Sequence, residues 1–325
     1  MAGLSNPRLR RLRHCGELWL AGWLRRYYAL RRRSLEIAPE PAFASHVFGD
    51  DARPNGRDIP ALVWTYWTGA EPPLVVRRCV ARWRLLNPGF DIRVLDDRSA
   101  AVHGIEWPPA LAAQSPTRRA DWLRLEVLRR HGGIWLDASI ILTQPLDWVL
   151  ALQRASRSDF IGYRLALYTA DPAWPVVENW FMAAPPNSPF IDDLQHEFTT
   201  EVIPRSGEGY VGHLQALGLY DALVQRIDMP SYLSMHLALQ RILRAGGRYR
   251  LHLAEAEAGP YFYHVLGRWR RTPLRAVETT LDLLRQSGST IAGVALSFLN
   301  AREYASAGLS DAFGYHKKFK GYYVD

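Results

Sequence analysis

The sequence predicts an α/β protein built on a mostly parallel central sheet, and two alternations of strand and helix carry this prediction. An apolar and aromatic strand from Ile59 to Trp67 is followed by a helix that opens at Pro72-Pro73 and by a strand from Asp91 to Leu95. So short a strand–helix–strand unit pairs its strands in parallel through a right-handed crossover. A second helix, from Ser115 to Arg130, then leads into a strand from Ile134 to Leu142.

Local signals fix where these elements begin and end. The first helix stops at Asn87-Pro88-Gly89, and the second opens at Ser115-Pro116 and stops at Gly132-Gly133. Serine before proline is a helix start, and glycine after the last helical turn is a helix stop. Further strands are expected at residues 159–165 and 180–184, with helices opening at Ser188-Pro189 and spanning residues 231–244.

Charge divides the chain into three parts. The formal net charge is +8, and nine arginines against one acid, Glu17, lie between Arg8 and Arg33. The remainder is close to neutral, and its apolar content is ordinary for a folded protein. We therefore predict a basic amphipathic N-terminal helix at residues 1–33, a linker at residues 34–58 and one folded domain at residues 59–325.

The N-terminal helix resembles a segment that lies in the interface of an anionic bilayer. Tryptophan and tyrosine recur at helical spacing among its arginines, which suits that environment, although the same helix could instead pack on the domain and expose a basic face. No apolar run reaches membrane-spanning length, and Cys15 and Cys79 are too few for a disulfide framework. We expect a cytoplasmic protein, peripheral at the inner face of the cytoplasmic membrane.

Residues with chemical potential concentrate in the stretch RRADWLRLEVLRRHGGIWLDASI. Asp121 and Arg124 are three positions apart and share a helix face, while Trp135 and Asp137 close the next strand. Ligands of open α/β sheets bind beyond the carboxyl ends of strands. The short glycine turn therefore allows all four side chains to meet in one crevice.

These residue types suit a phosphorylated sugar. Carboxylates accept hydrogen bonds from hydroxyls or bind a divalent cation, arginine binds phosphate or hydroxyl oxygens, and an aromatic ring packs on a base or sugar face. Taken singly, each residue has a structural explanation: a surface ion pair, a core tryptophan, a carboxylate capping a turn. Their convergence at this spacing favours a binding site.

The stretch resembles the DXD-containing, sugar-binding region of glycosyltransferase family 32, and specifically the bacterial capsular polysaccharide synthesis proteins. The resemblance begins at Ile59-Pro60 and continues through WRLLNPGFDIRVLDD and ADWLRLEVLRRHGGIWLDASI, with weaker matches in ENWFMAAPPNSPFI, YLSMHLALQ and GPYFYH. It implies a GT-A-like single domain and a hexosyltransferase. The implied reaction moves a sugar from a nucleotide-diphosphate sugar to a glycan or lipid-linked acceptor, with retention of configuration.

The resemblance also implies roles for single residues. Asp121 and Arg124 match the pair that holds the donor sugar, and Asp137 matches the first aspartate of the DXD motif. Trp64 and Tyr66 fall where the family contacts the nucleotide base. Further substrate contacts are expected from Arg118 and Trp135, with Arg119 as a second cation for the diphosphate.

The metal site is the point of departure from the family. Ser139 replaces the second aspartate of the DXD motif, and a neutral hydroxyl is a poor ligand for Mg²⁺ or Mn²⁺. Either another group completes a site around Asp137, or metal binding is weak, or arginines neutralise the diphosphate. His264 and His316 are distant candidates for a further ligand. Lys317, Lys318 and Lys320 form either a basic lid or a solvated tail.

Two other functions compete with the enzyme. Ser139 leaves open a catalytically silent nucleotide-sugar-binding protein. The basic N-terminal arm could serve nucleic acid, because aromatic residues among arginines also bind single strands. A nearly neutral body without a recognised nucleic-acid module argues against that partner.

Overall fold

The computed structural model describes residues 41–261 and Val265, apart from residues 51, 70, 113, 141 and 143. The predicted N-terminal helix, His264, His316 and the lysine-rich tail lie outside the described residues. Within them, seven strands form one sheet in the order β1-β7-β5-β6-β4-β2-β3. The strands are β1 Ala44–Phe48, β2 Leu62–Tyr66, β3 Asp91–Leu95, β4 Gly133–Leu136, β5 Phe160–Arg164, β6 Val177–Ala184 and β7 Tyr249–Glu255.

Helices connect and flank these strands. They are α1 Leu74–Leu86, α2 Pro116–His131, α3 Asp147–Ser156, α4 Pro189–Glu197, α5 Ile203–Ala216, α6 Tyr220–Val224 and α7 Ser234–Arg244. Short 3₁₀ turns cover Ser99–His103 and Pro109–Leu111, and a π-helical turn, Phe198–Val202, joins α4 to α5. Among the described residues, no helix combines the length and the apolar character that crossing a bilayer would require.

The α/β prediction is confirmed. β2 pairs in parallel with both β3 and β4, as the two predicted alternations require, and β5 pairs in parallel with β7. The sheet is nevertheless mixed, because β6 runs antiparallel to both of its neighbours and β1 runs antiparallel to β7. A strand in the β6 segment was predicted from the sequence, but no sequence signal indicated whether it runs parallel or antiparallel to its neighbours.

Two predicted boundaries differ from the structure. The segment expected as a linker, residues 34–58, contains β1, whose register joins Ala44 to Leu253 and Phe48 to Tyr249. An edge strand pairs on one side only and can form with weak apolar alternation, so its sequence signal is small. The prolines on either side of β1 are typical of a linker and led to that prediction. The strand expected from Ile134 to Leu142 ends at Leu136, because the backbone N–H of Ile140 donates to the Asp137 carbonyl and closes a turn.

The connection from α2 to β4 depends on its two glycines. Gly132 has φ 66° and Gly133 has φ 106°, a backbone region that side chains rarely adopt. A Cβ on Gly132 would lie 2.6 Å from the Pro186 ring, and one on Gly133 would lie 2.6 Å from the Leu62 carbonyl oxygen. The turn is therefore short and tightly enclosed, which brings the end of β4 back beside the middle of α2.

Candidate functional site

The candidate site lies at the carboxyl ends of β2, β3 and β4. These strands are parallel, so their carboxyl ends share one edge of the sheet, and α2 packs alongside them. Ser115 caps the first turn of α2 by accepting a hydrogen bond from the Arg118 backbone N–H at 3.2 Å. This cap fixes the helix start, from which Arg118, Asp121 and Arg124 follow at three-residue intervals on one face.

Arg124 joins the two predicted carboxylates. Its Nη2 lies 2.8 Å from Asp121 Oδ1 and 3.4 Å from Asp137 Oδ1. Its Nη1 donates to the backbone carbonyl of Asn179 on β6. The guanidinium is fully buried, whereas Asp121 and Asp137 each keep 8% of their surface exposed. The predicted convergence of these three residues is thus observed, with the arginine fully enclosed and the two aspartates keeping a small exposed surface.

Trp135 supports the same cluster from β4. Its Nε1 donates to Asp137 Oδ1 at 3.0 Å, and the Arg124 guanidinium carbon lies 5.2 Å from the centre of its ring. The ring is 1% exposed. Trp135 therefore orients Asp137 and covers Arg124 rather than offering an open face to a base or a sugar.

Arg118 reaches across to α7. Its Nη1 donates to Ser234 Oγ at 2.7 Å, and its guanidinium lies 5.6 Å from the centre of the Phe198 ring. The half-exposed Tyr232, two residues before Ser234, interacts electrostatically with Asp121, Asp137, Arg124 and Arg118. The start of α7 thus closes one side of the site.

A second polar cluster occupies the carboxyl ends of β2 and β3. The Tyr66 hydroxyl donates a hydrogen bond to Asp97 Oδ1, and the Thr68 hydroxyl donates one to Asp97 Oδ2. Arg119 Nη1 lies 2.8 Å from the same Oδ2. Burial opposes ionisation of Asp97, but the hydroxyl donors and the Arg119 charge hold its pKa below the usual value. Burial and the Asp97 carboxylate raise the pKa of Tyr66. Tyr66 and Arg119 are therefore anchored at the predicted edge by a residue that the sequence analysis did not assign.

Trp64 lies in the core. Its ring is fully buried, its Nε1 donates to the Gly132 carbonyl at 2.9 Å, and the Arg93 guanidinium lies 4.9 Å from the centre of its ring. His103 and His131 contact the same ring. Of the two residues expected to contact a base, Trp64 packs in the interior and Tyr66 lies at the site edge.

The described residues do not by themselves complete a metal site. No group of three His, Cys, Asp or Glu side chains within them is placed to hold an ion. Asp121 and Asp137 are paired with Arg124, and Ser139 lies half-buried in the turn after β4. His264, the distant candidate for a further ligand, is outside the described residues.

The cluster can recognise a polar, hydroxyl-rich ligand. Two carboxylates against one guanidinium leave one unit of negative charge, which suits acceptance of hydroxyl hydrogen bonds. Arg118 and Arg119 bring positive charge to the same helix end, where an anionic phosphate would be favoured.

Asp97, Ser234 and Tyr232 are site residues whose roles were not predicted from the sequence. A signal existed for Asp97, since Asp96-Asp97 directly follows β3 at the same sheet edge as Asp137. Tyr232 and Ser234 lie in the weaker family match YLSMHLALQ, but that match did not place them beside α2, because their approach depends on long-range packing.

Residues 45–200 match the family of capsular polysaccharide synthesis proteins. The chain is also 25% identical over 159 residues to O-glycosyltransferase PaGT of Phomopsis amygdali, covering 43% of this chain and 37% of that protein. It is 31% identical over 100 residues to "Putative glycosyltransferase HOC1" of Saccharomyces cerevisiae, covering 28% of this chain and 25% of that protein. The matched region thus spans only about a third of the curated relatives' length.

Two solved structures are similar over much of the chain. The PaToxG glycosyltransferase has a TM-score of 0.36 at 13% identity, covering 88% of this chain and 97% of that one. The ligand-free glycosyltransferase domain of the YGT toxin has a TM-score of 0.35 at 9% identity, covering 75% and 94%. The family match and the curated relatives confirm the resemblance to glycosyltransferases that the sequence motifs predicted.

Proposed function

We propose that this chain, a glycosyltransferase by resemblance, moves a hexosyl group from a nucleotide-diphosphate sugar to a growing capsular or cell-surface glycan or to a lipid-linked acceptor. The observation that carries this proposal is the bridge that Arg124 makes between Asp121 and Asp137 at the carboxyl end of β4. Two carboxylates that keep a small exposed surface beside a buried cation suit hydroxyl recognition, and they lie at the carboxyl ends of strands, where α/β sheets bind ligands.

The proposed roles follow from charge and position. Asp121 and Asp137 accept hydrogen bonds from hydroxyls of the donor, and Arg124 holds the two carboxylates in register. Arg118 and Arg119 stabilise the negative charge that develops on the leaving diphosphate. Retention of the anomeric configuration is inferred from the family alone. In the mechanism that requires no carboxylate nucleophile, the acceptor hydroxyl attacks the anomeric carbon on the face from which the diphosphate leaves, and the leaving phosphate takes up the proton.

A divalent cation is part of the proposal only as an addition to this cluster. Mg²⁺ or Mn²⁺ would contact Asp137, with Ser139 as a weak neutral ligand and the donor diphosphate or His264 as further ligands. Because the described carboxylates are already paired with arginine, no step above depends on the ion. The test is donor turnover with Mn²⁺, with Mg²⁺ and with EDTA.

The basic N-terminal arm is proposed to hold the protein at the inner face of the cytoplasmic membrane. Deleting residues 1–33 should abolish binding to anionic vesicles and leave donor turnover in solution unchanged. A full chain that binds nucleic acid without turning over a donor, and that loses this binding when residues 1–33 are deleted, would instead favour the nucleic-acid hypothesis.

The experiment that tests the enzyme is turnover of a nucleotide-sugar panel by the purified full chain. UDP-glucose, UDP-galactose, UDP-N-acetylglucosamine and GDP-mannose are suitable donors, and release of UDP or GDP is the readout. Asp137→Asn should abolish release, while Asp58→Asn, a matched change in an exposed ion pair with Arg157 at 3.0 Å, should not. Equal turnover by wild type and Asp137→Asn would contradict the proposal.

Ser139 supports a second candidate, a nucleotide-sugar-binding protein without turnover. A donor that binds the native state raises the melting temperature, and the stabilisation grows with the logarithm of 1 + [L]/Kd, whether or not the donor is consumed. A thermal shift without release of nucleotide, at any metal concentration, would favour this second candidate.

A further inference from the structure

The five-residue segment 229–233 is the last part of the connection between α6 and α7, and it leads directly into Ser234, which contacts Arg118 of the candidate site. It forms a tight turn, in which the Met229 carbonyl accepts hydrogen bonds from the backbone N–H groups of Tyr232 at 2.9 Å and Leu233 at 3.0 Å. Met229 adopts φ 48°, so the turn is a constrained conformation rather than an extended connection.

Contacts on two sides fix where this turn lies. On one side, Ser234 directly after it accepts the hydrogen bond from Arg118 of α2, and Ser234 is fully buried. On the other side, the Ser231 carbonyl lies so close to Gly207 of α5 that a Cβ there would come within 1.7 Å of its oxygen. The turn is therefore held between two helices, and Tyr232 is presented by a fixed backbone.

The position of Tyr232 relative to the cluster is specific. Ser234, two residues after Tyr232, accepts the Arg118 hydrogen bond at 2.7 Å, which places the turn beside the cluster, and the charges of Asp121, Asp137, Arg124 and Arg118 act on the Tyr232 phenol. Even so, 39% of the residue stays exposed. The ring is therefore partly accessible to a ligand, and a tyrosine combines an apolar ring with a polar hydroxyl.

We propose that Tyr232 is a further substrate-binding residue, whose ring forms the wall on which the sugar of the donor packs while Asp121 and Asp137 bind its hydroxyls. This inference rests on the proposed function and names the residue that reads the sugar rather than the nucleotide. A pyranose has an apolar face of C–H groups and an edge of hydroxyls, and an aromatic ring beside two carboxylates matches both.

The phenol is suited to this place because it stays neutral. Burial raises the pKa of Tyr232 to about 12, and the charges of Asp121 and Asp137 act in the same direction. A neutral hydroxyl beside carboxylates adds no repulsion to the site and can donate a hydrogen bond.

The test compares donor binding by Tyr232→Ala, Tyr232→Phe and a matched control, Met229→Ala. Met229 lies in the same turn and is 41% exposed, close to the 39% of Tyr232. Titration calorimetry on the full chain would measure the nucleotide sugar that the panel selects, and separately its nucleoside diphosphate without the sugar.

The proposal expects Tyr232→Ala to weaken nucleotide-sugar binding about 10-fold and to leave nucleoside-diphosphate binding unchanged. Tyr232→Phe, which keeps the ring, and Met229→Ala should both bind the nucleotide sugar nearly as wild type does. The inference is overturned if Tyr232→Ala binds the nucleotide sugar as tightly as wild type, or if it weakens both ligands equally. A wild-type protein that binds no nucleotide sugar contradicts the proposed function itself, which is a separate result.

Discussion

Arg124 Nη2 on helix α2 lies 3.4 Å from Asp137 Oδ1 at the end of strand β4. The two residues come from different elements, and the arginine is fully buried. A buried charge is tolerated only when it is paired and hydrogen-bonded. The Asp137 carboxylate is therefore needed to stabilise the buried Arg124 guanidinium, which in turn holds Asp137 in the site.

The first prediction concerns this pair. Asp137→Asn keeps the side-chain size and removes the charge, and we expect donor turnover to fall about 100-fold or more if the pair stabilises the transition state. Arg124→Lys should cause a similar loss, because one ammonium cannot replace a guanidinium that contacts Asp121, Asp137 and the Asn179 carbonyl together. Steady-state kinetics of nucleotide release measures both.

The double variant of Arg124→Lys with Asp137→Asn distinguishes a shared role from two separate ones. Residues that act as a unit give losses that are far from additive. We therefore expect the double variant to be little worse than either single variant. Fully additive losses would show that the two side chains act independently.

The second prediction concerns Trp135→Phe. Phenylalanine keeps an aromatic ring against Arg124 but loses the Nε1–H that donates to Asp137 at 3.0 Å. The free energy of unfolding should fall by about 1.5–3 kcal/mol, because the lost hydrogen bond is made to a carboxylate and the smaller ring leaves a cavity, and turnover should fall more than donor binding. Chemical denaturation and kinetics of the same preparation provide both numbers. A loss of donor affinity with unchanged maximal rate would instead place Trp135 in ground-state binding.

The motif stretch of α2 and β4 could be predicted because its signals are local. Ser115-Pro116 and the two glycines mark the ends of α2, helix spacing aligns Asp121 with Arg124, and the carboxyl-end rule places Asp137 beside them. Each step needs only residues that are close in sequence.

The remaining parts of the site depend on contacts between distant residues. Trp64 and Thr65 lie on opposite faces of β2, an inner strand between β4 and β3, and both are fully buried. The sequence of the strand alone does not show this burial on both faces, nor that the Gly132 carbonyl accepts the Trp64 indole N–H. The position of Tyr232 depends on two long-range contacts: Ser234 of α7 accepts a hydrogen bond from Arg118, and Gly207 of α5 packs closely against the Ser231 carbonyl. β1 likewise forms only because β7 is present to pair with it.

The third prediction concerns pH and stability at Glu126, away from the candidate site. Burial raises the pKa of this carboxyl, but hydrogen bonds from Arg129, Arg130 and Gln195 outweigh it and hold the pKa below its ordinary value. A lowered folded-state pKa stabilises the fold above the unfolded value near 4.5, and this stabilisation is lost as the pH falls through the folded value.

Glu126→Gln should therefore lower the free energy of unfolding by about 1–3 kcal/mol at pH 7, and the difference from wild type should shrink below pH 4.5. The side chains of Arg129 and Arg130 are 34% and 41% exposed, more than a third in each case, and solvent screening therefore favours the lower end of this range. Urea denaturation at several pH values measures the difference. Glu71→Gln, in an ion pair with Arg77 that is 77% exposed on the glutamate side, serves as the control and should show almost no effect. A constant difference across the pH range would contradict the assignment.

The fourth prediction uses two glycines of helix α5. Gly207 has no room for a side chain, because its Cβ would lie 1.7 Å from the Ser231 carbonyl oxygen, whereas nothing lies within 4 Å of a Cβ on Gly212. Gly207→Ala must displace the turn that carries Tyr232, and overpacking of this kind costs about 1–3 kcal/mol. Gly212→Ala should stabilise the protein by about 0.5–1 kcal/mol, since alanine replaces glycine in an open helix interior. Thermal and urea denaturation should show changes of opposite sign in the free energy of unfolding for the two variants if Ser231 lies where the structure places it.

Donor binding adds a second readout, because a displaced turn moves Tyr232 and should weaken nucleotide-sugar binding in Gly207→Ala alone. Equal stability of the two variants would show that α5 does not press on the 229–233 turn.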